Sequence, residues 1–222
     1  MTDISAHLKG VLATLTPAVK LVAVSKFHPV ESLQEAYDAG QRLFGESRVQ
    51  ELLAKQPQLP DDIQWHFIGH LQTNKVRQLI GRTALIESVD SERLIDLIDR
   101  ESERAGVVTR ILLQLHVAQE ETKFGFSVEE LKEYFAQRKF ETLKATHICG
   151  LMGMASNTDD TSRINADFKT IADCFNQIRN DESLGLRGFD TLSMGMSDDR
   201  DIAIANGSNL VRVGTAIFGT RH

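Results

Sequence analysis

Residues 20–29 read Lys-Leu-Val-Ala-Val-Ser-Lys-Phe-His-Pro. Leu21 to Val24 form an apolar run without polar alternation, the pattern of a strand buried on both faces, and Pro29 cannot extend it. Such strands belong to parallel sheets, where a long crossover must separate each strand from the next. The rest of the chain supplies that rhythm. Further short apolar runs fall at 42–45, 63–68, 85–89, 110–117, 147–152, 191–194 and 210–213, making eight strands with the first at 20–25. Between them lie amphipathic stretches at 30–39, 49–55, 74–80, 92–105, 128–138, 162–179 and 200–205, with one more around 4–15. Asp90-Ser91 before the fourth and Ser127 with Glu130 before the fifth are helix-start chemistry, and Gly40, Gly81, Gly106 and Gly207 are placed to end helices. Eightfold strand–helix alternation without a linker predicts an α/β fold, a single closed (β/α)8 TIM-type barrel with an extra N-terminal helix, over residues 1–222. An open doubly wound sheet is the alternative.

The chain has 222 residues, 41% of them hydrophobic, and a formal net charge of −6. One substantial core is within reach at this size. The negative charge provides no global attraction for nucleic acid or anionic lipid, so neither is an expected partner. No segment approaches the roughly 20 apolar residues that span a bilayer, and the start MTDISAHLKG lacks a signal-peptide core, so a cytoplasmic location is expected. Cys149 and Cys174 read as two buried thiols, and no metal site is expected.

Barrel active sites sit at the C-terminal ends of the strands. Lys26 leaves the first strand there. It reads either as a snorkelling surface group or as a partly desolvated amine that can attack an aldehyde. The last strand carries Arg212 and then Gly214-Thr215 at the following turn, and the loop after the seventh carries Ser193 and Ser197. Loops after strands seven and eight often hold phosphate in such barrels, since backbone N–H groups at a glycine turn can surround an anion. These small residues could equally do no more than make tight turns. Arg212 needs an acceptor in either case, a ligand or a structural carboxylate. His66 and His70 flank the third strand end and could reach the mouth or serve as hydrogen-bonded structural groups.

Several segments resemble one known family. Besides LVAVSKFHP they are FGESRVQE from Phe44, WHFIGHLQTNK from Trp65, KFG from Lys123, GLMGM from Gly150, LSMGMSDD from Leu192 and VRVGTAIFG from Val211. Together, and in this order, they resemble the YggS/PROSC family of pyridoxal phosphate homeostasis proteins from about Lys20 to Gly219. The resemblance implies a fold-type III barrel similar to the alanine racemase N-terminal domain, with pyridoxal 5′-phosphate as cofactor. It implies that Lys26 forms the covalent aldimine and that Arg212 faces the pyridine nitrogen. Ser197, Gly214 and Thr215 would hold the phosphate, with Ser193 and His66 also assigned to the cofactor site. Met154 would pack against the ring and Lys123 approach its polar edge. The family usually reads Phe-Gly-Glu-Asn where this chain has Ser47 after Glu46, which puts any amide contact there in doubt.

Racemases of this fold need two acid/base groups on opposite faces of the substrate, one supplied by a second domain or subunit. No second domain is expected here, and Tyr37 and Tyr134 fall in helical patterns that suit packing. The expectation is a cofactor-binding protein that buffers or delivers pyridoxal phosphate with little or no catalysis. Apo-enzymes would be its possible partners, the segment from Glu92 to Arg104 a possible contact surface, and a monomer the expected state. A single-domain amino-acid racemase or lyase using the same cofactor is the alternative, and an aldolase-like barrel a more distant one.

Overall fold

A computed structural model describes residues 3–117 and 124–220. Its centre is a closed barrel of eight parallel strands in sequence order, β1 pairing with β8. The strands are β1 (Lys20–Val24), β2 (Leu43–Glu46), β3 (Gln64–Phe67), β4 (Leu85–Val89), β5 (Thr109–Leu115), β6 (Thr146–Gly153), β7 (Thr191–Ser193) and β8 (Leu210–Val213). Around them run α1 (Ile4–Ala13), α2 (Val30–Asp38), α3 (Val49–Lys55), α4 (Val76–Leu79), α5 (Glu92–Ala105), α6 (Val128–Ala136), α7 (Thr161–Arg179), α8 (Arg200–Ala205) and α9 (Thr215–Phe218). The sequence pattern anticipates all of these except α9, whose four residues are too few for a periodic signal.

Strand alternation divides the apolar residues into two cores. Leu21, Ala23, Ile86, Leu113, Leu151, Val211 and Val213 belong to the large cluster shared with the helices. Val22, Leu85, Leu112, Cys149, Met152 and Leu210 form a second, small cluster, the inward-facing set that fills the barrel. Both cysteines are buried and unpaired, and burial pushes the Cys174 thiol up to about 11.

Local chemistry sets the helix ends. Ser127 Oγ accepts from the Glu130 N–H at 3.0 Å while the Ser127 N–H donates to Glu130 Oε2 at 2.8 Å, the reciprocal box expected from the sequence. Ser91 precedes α5 but makes no such cap; its hydroxyl donates to Asp90 Oδ1 instead. At Gly150 (φ +150°) a Cβ would lie 1.8 Å from the Thr191 carbonyl oxygen, so only glycine lets β6 and β7 approach. No described helix is long and apolar enough to cross a membrane.

Candidate functional site

The β1 end is a tight turn. The His28 N–H donates to the Ser25 carbonyl at 3.1 Å, which closes a four-residue reversal with Lys26 and Phe27 in the middle. Phe27 has φ +68°, whereas Lys26 does not share that positive φ. This is the pattern of a type II turn, whose third position ordinarily takes glycine. His28 then stacks on Phe218 of α9 at 4.9 Å, tying the turn to the segment after β8. The strand registers place Ser25 and Lys26 between the ends of β2 and β8, because Val24 pairs with Gly45 and Ala23 with Val213. Ser47 and Gly214-Thr215 therefore flank the β1 turn on either side.

Behind the turn lies a buried charged cluster. Lys55, at the end of α3, is 6% exposed, and its Nζ reaches the Ser25 carbonyl (2.8 Å), Glu46 Oε1 (2.8 Å) and Glu51 Oε1 (2.6 Å). Ser25 Oγ also donates to Glu46 Oε1, at 2.7 Å. Burial raises the Glu46 carboxyl above its ordinary value, although Lys55 and Ser25 pull it back. Its second oxygen, Oε2, is buried without a hydrogen-bond partner.

A second polar cluster occupies the barrel interior. Arg212 of β8 donates through Nη1 to Ser193 Oγ and through Nη2 to the Gly153 carbonyl (3.0 Å), with Glu87 Oε2 at 3.6 Å. Ser193 Oγ donates to Glu87 Oε2 at 2.6 Å, and His66 Nδ1 lies 2.6 Å from Glu87 Oε1. Burial is the largest influence on Glu87 and pushes its carboxyl up. The combined pull of His66, Arg212 and Ser193 wins, leaving it below the ordinary value. An ionised carboxylate has only acceptors, so the His66 proton sits on Nδ1. Burial lowers the Arg212 guanidinium, against the attraction of Glu87.

The loop after β7 is tied to strand β8 and closed on the start of α8. The Arg212 N–H donates to the Gly195 carbonyl at 3.0 Å, and the Ser197 carbonyl accepts from Arg200 Nη1 at 2.5 Å. Gly214 caps α9, where a Cβ would stand 3.1 Å from the Val24 carbonyl. Between the segments that follow β6 and β7 a cavity of about 470 Å3 is lined by Met154, Asn157, Asp159, Met196, Asp198 and Ile202. Another, of about 290 Å3, opens at the opposite end of the barrel between Lys20, His66, Arg110, Arg179 and Asp190. That end carries the strand starts, whereas active sites in such barrels sit at the strand C-terminal ends.

Of the residues expected from sequence, Lys26, Ser47, Ser197, Gly214 and Thr215 lie at the strand C-terminal ends, and Met154 follows β6. His66, Ser193 and Arg212 come together, but below the mouth and around Glu87. His66 is within β3, and its ring lines the cavity at the strand starts, so it approaches the mouth only through Glu87. His70 does stand at the mouth, 2.9 Å from Asp90 Oδ2 and stacked on Phe124 at 3.7 Å. Lys123 lies outside the described residues. Tyr37 donates to Asp62 on the outer surface, and Tyr134 is buried against Phe126 and Phe135. Sequence reasoning missed Glu87, Glu51 and Lys55. For Glu87 a signal existed: a carboxylate two residues after the inward-facing Leu85 shares its side of the strand.

The alanine racemase N-terminal domain family matches residues 2–222. A protein of Schizosaccharomyces pombe named pyridoxal phosphate homeostasis protein is 41% identical over 206 residues, 91% of this chain and 84% of its own length. One of Synechocystis sp. with the same name is 40% identical over 216 residues, 95% of each. Among solved structures, PipY of Synechococcus elongatus PCC7942 with PLP bound is 36% identical and superposes with a TM-score of 0.89 over 97% of this chain and all of that one. Alanine racemase from E. faecalis shares the fold (TM-score 0.74) at 18% identity, this chain covering 58% of it.

Proposed function

The chain belongs to the pyridoxal phosphate homeostasis proteins, within the alanine racemase N-terminal domain family, and we propose that it binds pyridoxal 5′-phosphate at the C-terminal mouth of its barrel, with Lys26 as the point of covalent attachment. The observation that carries this reading is the placement of Lys26 on the β1 turn, flanked by Ser47 and by Gly214-Thr215 in the same barrel as PipY with PLP bound.

The residues present fit the three polar parts of that cofactor. Its aldehyde requires a primary amine, which Lys26 supplies. Its phosphate requires converging donors, which the backbone of Gly214 and Thr215 at the start of α9 and the Ser197 hydroxyl would supply. Its ring nitrogen requires a partner in a buried setting. Arg212 has five N–H donors, of which Ser193 and Gly153 take two.

When bound, pyridoxal phosphate can act as an electron sink, strongly so only if its ring nitrogen is protonated. Arg212 cannot accept a proton and opposes that protonation, and Glu87 and Ser193 hold the guanidinium in place. Both tyrosines are engaged on helices away from the mouth. This arrangement favours holding the aldehyde over turning over an amino acid. We read the protein as a buffer or delivery vehicle for pyridoxal phosphate in the cytoplasm, acting as a monomer and passing the cofactor to apo-enzymes.

The test is spectroscopic. Addition of pyridoxal phosphate is expected to produce a yellow protein, and borohydride followed by peptide mapping is expected to place the adduct on Lys26. An adduct on another lysine overturns the site. Sustained α-hydrogen exchange of amino acids in deuterated water would replace the carrier reading with a catalytic one.

A further inference from the structure

We propose that Glu51, Lys55 and Glu46 are positioning residues for Lys26: a carboxylate–ammonium–carboxylate bracket centred on the buried Lys55 grips the peptide groups on both sides of Lys26 and so fixes the direction in which its side chain leaves the barrel. The inference rests on the reading of Lys26 as the attachment residue, yet it concerns residues for which that reading has no role.

The geometry is specific. An ammonium has three N–H donors, and Lys55 Nζ spends all three on acceptors between 2.6 and 2.8 Å away: the Ser25 carbonyl, Glu46 Oε1 and Glu51 Oε1. The Ser25 carbonyl belongs to the peptide entering Lys26. The N–H of the peptide leaving Lys26 is that of Phe27, and it donates to Glu51 Oε1 at 2.5 Å. One carboxylate oxygen thus joins Lys55 to one side of Lys26 while Lys55 itself holds the other. Ser25 Oγ on Glu46 Oε1 adds a third tie to the same turn.

The turn needs holding. Phe27 occupies a position that favours glycine, with φ +68°, and its side chain is exposed. The Arg48 guanidinium lies over the ring, 4.6 Å from its centroid. The His28–Phe218 stack anchors the far end of the reversal, and the hydrogen bonds from the bracket hold the two peptides around Lys26 itself. A lysine at a helix end would ordinarily extend into water. Lys55 instead turns inward at 6% exposure, a costly placement that a surface ion pair would not require.

Two variants of the full chain test this, Lys55→Met and Glu51→Gln, with Lys55→Arg as the conservative rescue. Three quantities are read: exchange of the Phe27 amide with solvent in cofactor-free protein, the rate of chromophore formation on adding pyridoxal phosphate, and the melting temperature. Lys55→Met is expected to raise Phe27 amide exchange and slow chromophore formation by about tenfold each, the effect of losing a charge-assisted hydrogen bond, with Lys55→Arg recovering part of both. Glu51→Gln keeps an acceptor for Phe27 but loses the ionic tie, so a smaller change in the same direction is expected; it carries the test if Lys55→Met does not fold. Wild-type exchange and wild-type chromophore rates in folded variants overturn the proposal, even if the melting temperature falls. If the wild-type protein itself forms no reducible chromophore, the functional reading fails, while the exchange measurement still decides the bracket.

Discussion

Glu87 Oε2 lies 3.6 Å from the Arg212 guanidinium inside the barrel, and neither side chain is more than 4% exposed. Ser193 bridges the two, and His66 holds the other carboxylate oxygen. The residue expected to meet the cofactor ring is therefore set by a carboxylate four strands earlier in the chain's order, and its position is a property of the barrel interior.

Removing one member of a buried ion pair leaves the other charge uncompensated. Glu87→Ala is expected to cost roughly 3–5 kcal/mol of stability. Glu87→Gln, which keeps the hydrogen-bonding shape, should cost less. Urea denaturation of the cofactor-free protein measures both, and a Glu87→Ala loss under about 1 kcal/mol would contradict the assignment of an ionised pair.

The two buried glutamates should respond oppositely to pH. Glu87 is held below its ordinary value of 4.5 by His66, Arg212 and Ser193, so the stability it contributes is present above that value and is lost as pH falls through the lowered one. Glu46 is raised by burial against the pull of Lys55 and Ser25, so its contribution is complete below 4.5 and is lost as pH rises through the raised value. Subtracting Glu87→Gln and Glu46→Gln stabilities from wild type across a pH series should give differences that slope in opposite directions. Parallel slopes would refute this account.

Gly150 is constrained by both its φ of +150° and the Thr191 carbonyl, which a Cβ would meet at 1.8 Å. Backbone cannot swing aside as a flexible side chain can. Gly150→Ala is expected to destabilise by at least about 2 kcal/mol, read as a lowered melting temperature. Gly10→Ala, where a Cβ meets nothing within 4 Å on α1, is the control, and equal behaviour of the two would rule out the steric argument.

The Ser127 box should behave as a local device. Ser127→Ala removes the acceptor for the Glu130 N–H and is expected to cost roughly 0.5–2 kcal/mol without altering cofactor capture. A change in capture at unchanged stability would mean that α6 does more than cover the barrel.

Eight apolar runs spaced by amphipathic segments left little freedom in fold class, because strands buried on both faces with helical crossovers have few ways to close. The positions of Lys26, Arg212 and Gly214 near strand ends were legible because a charge or a glycine there is conspicuous against an apolar run. Glu51 and Lys55 were visible only as an ordinary i,i+4 ion pair on a helix. Nothing in FGESRVQELLAK indicates that this pair faces inward onto the β1 turn. His66 and Ser193 were selected, but their shared partner was not, since Glu87 is separated from Ser193 by 106 residues.

Local pattern thus determined the order of strands and helices and which residues stand at the strand C-terminal ends, since periodicity and turn residues act over a few positions. Tertiary closure decided which charges face one another: it brought β3, β4, β7 and β8 around Glu87 and folded the end of α3 under Lys26. Those encounters depend on barrel register and on burial, where the loss of water makes each unpaired group costly, and neither is written in any short stretch of the chain.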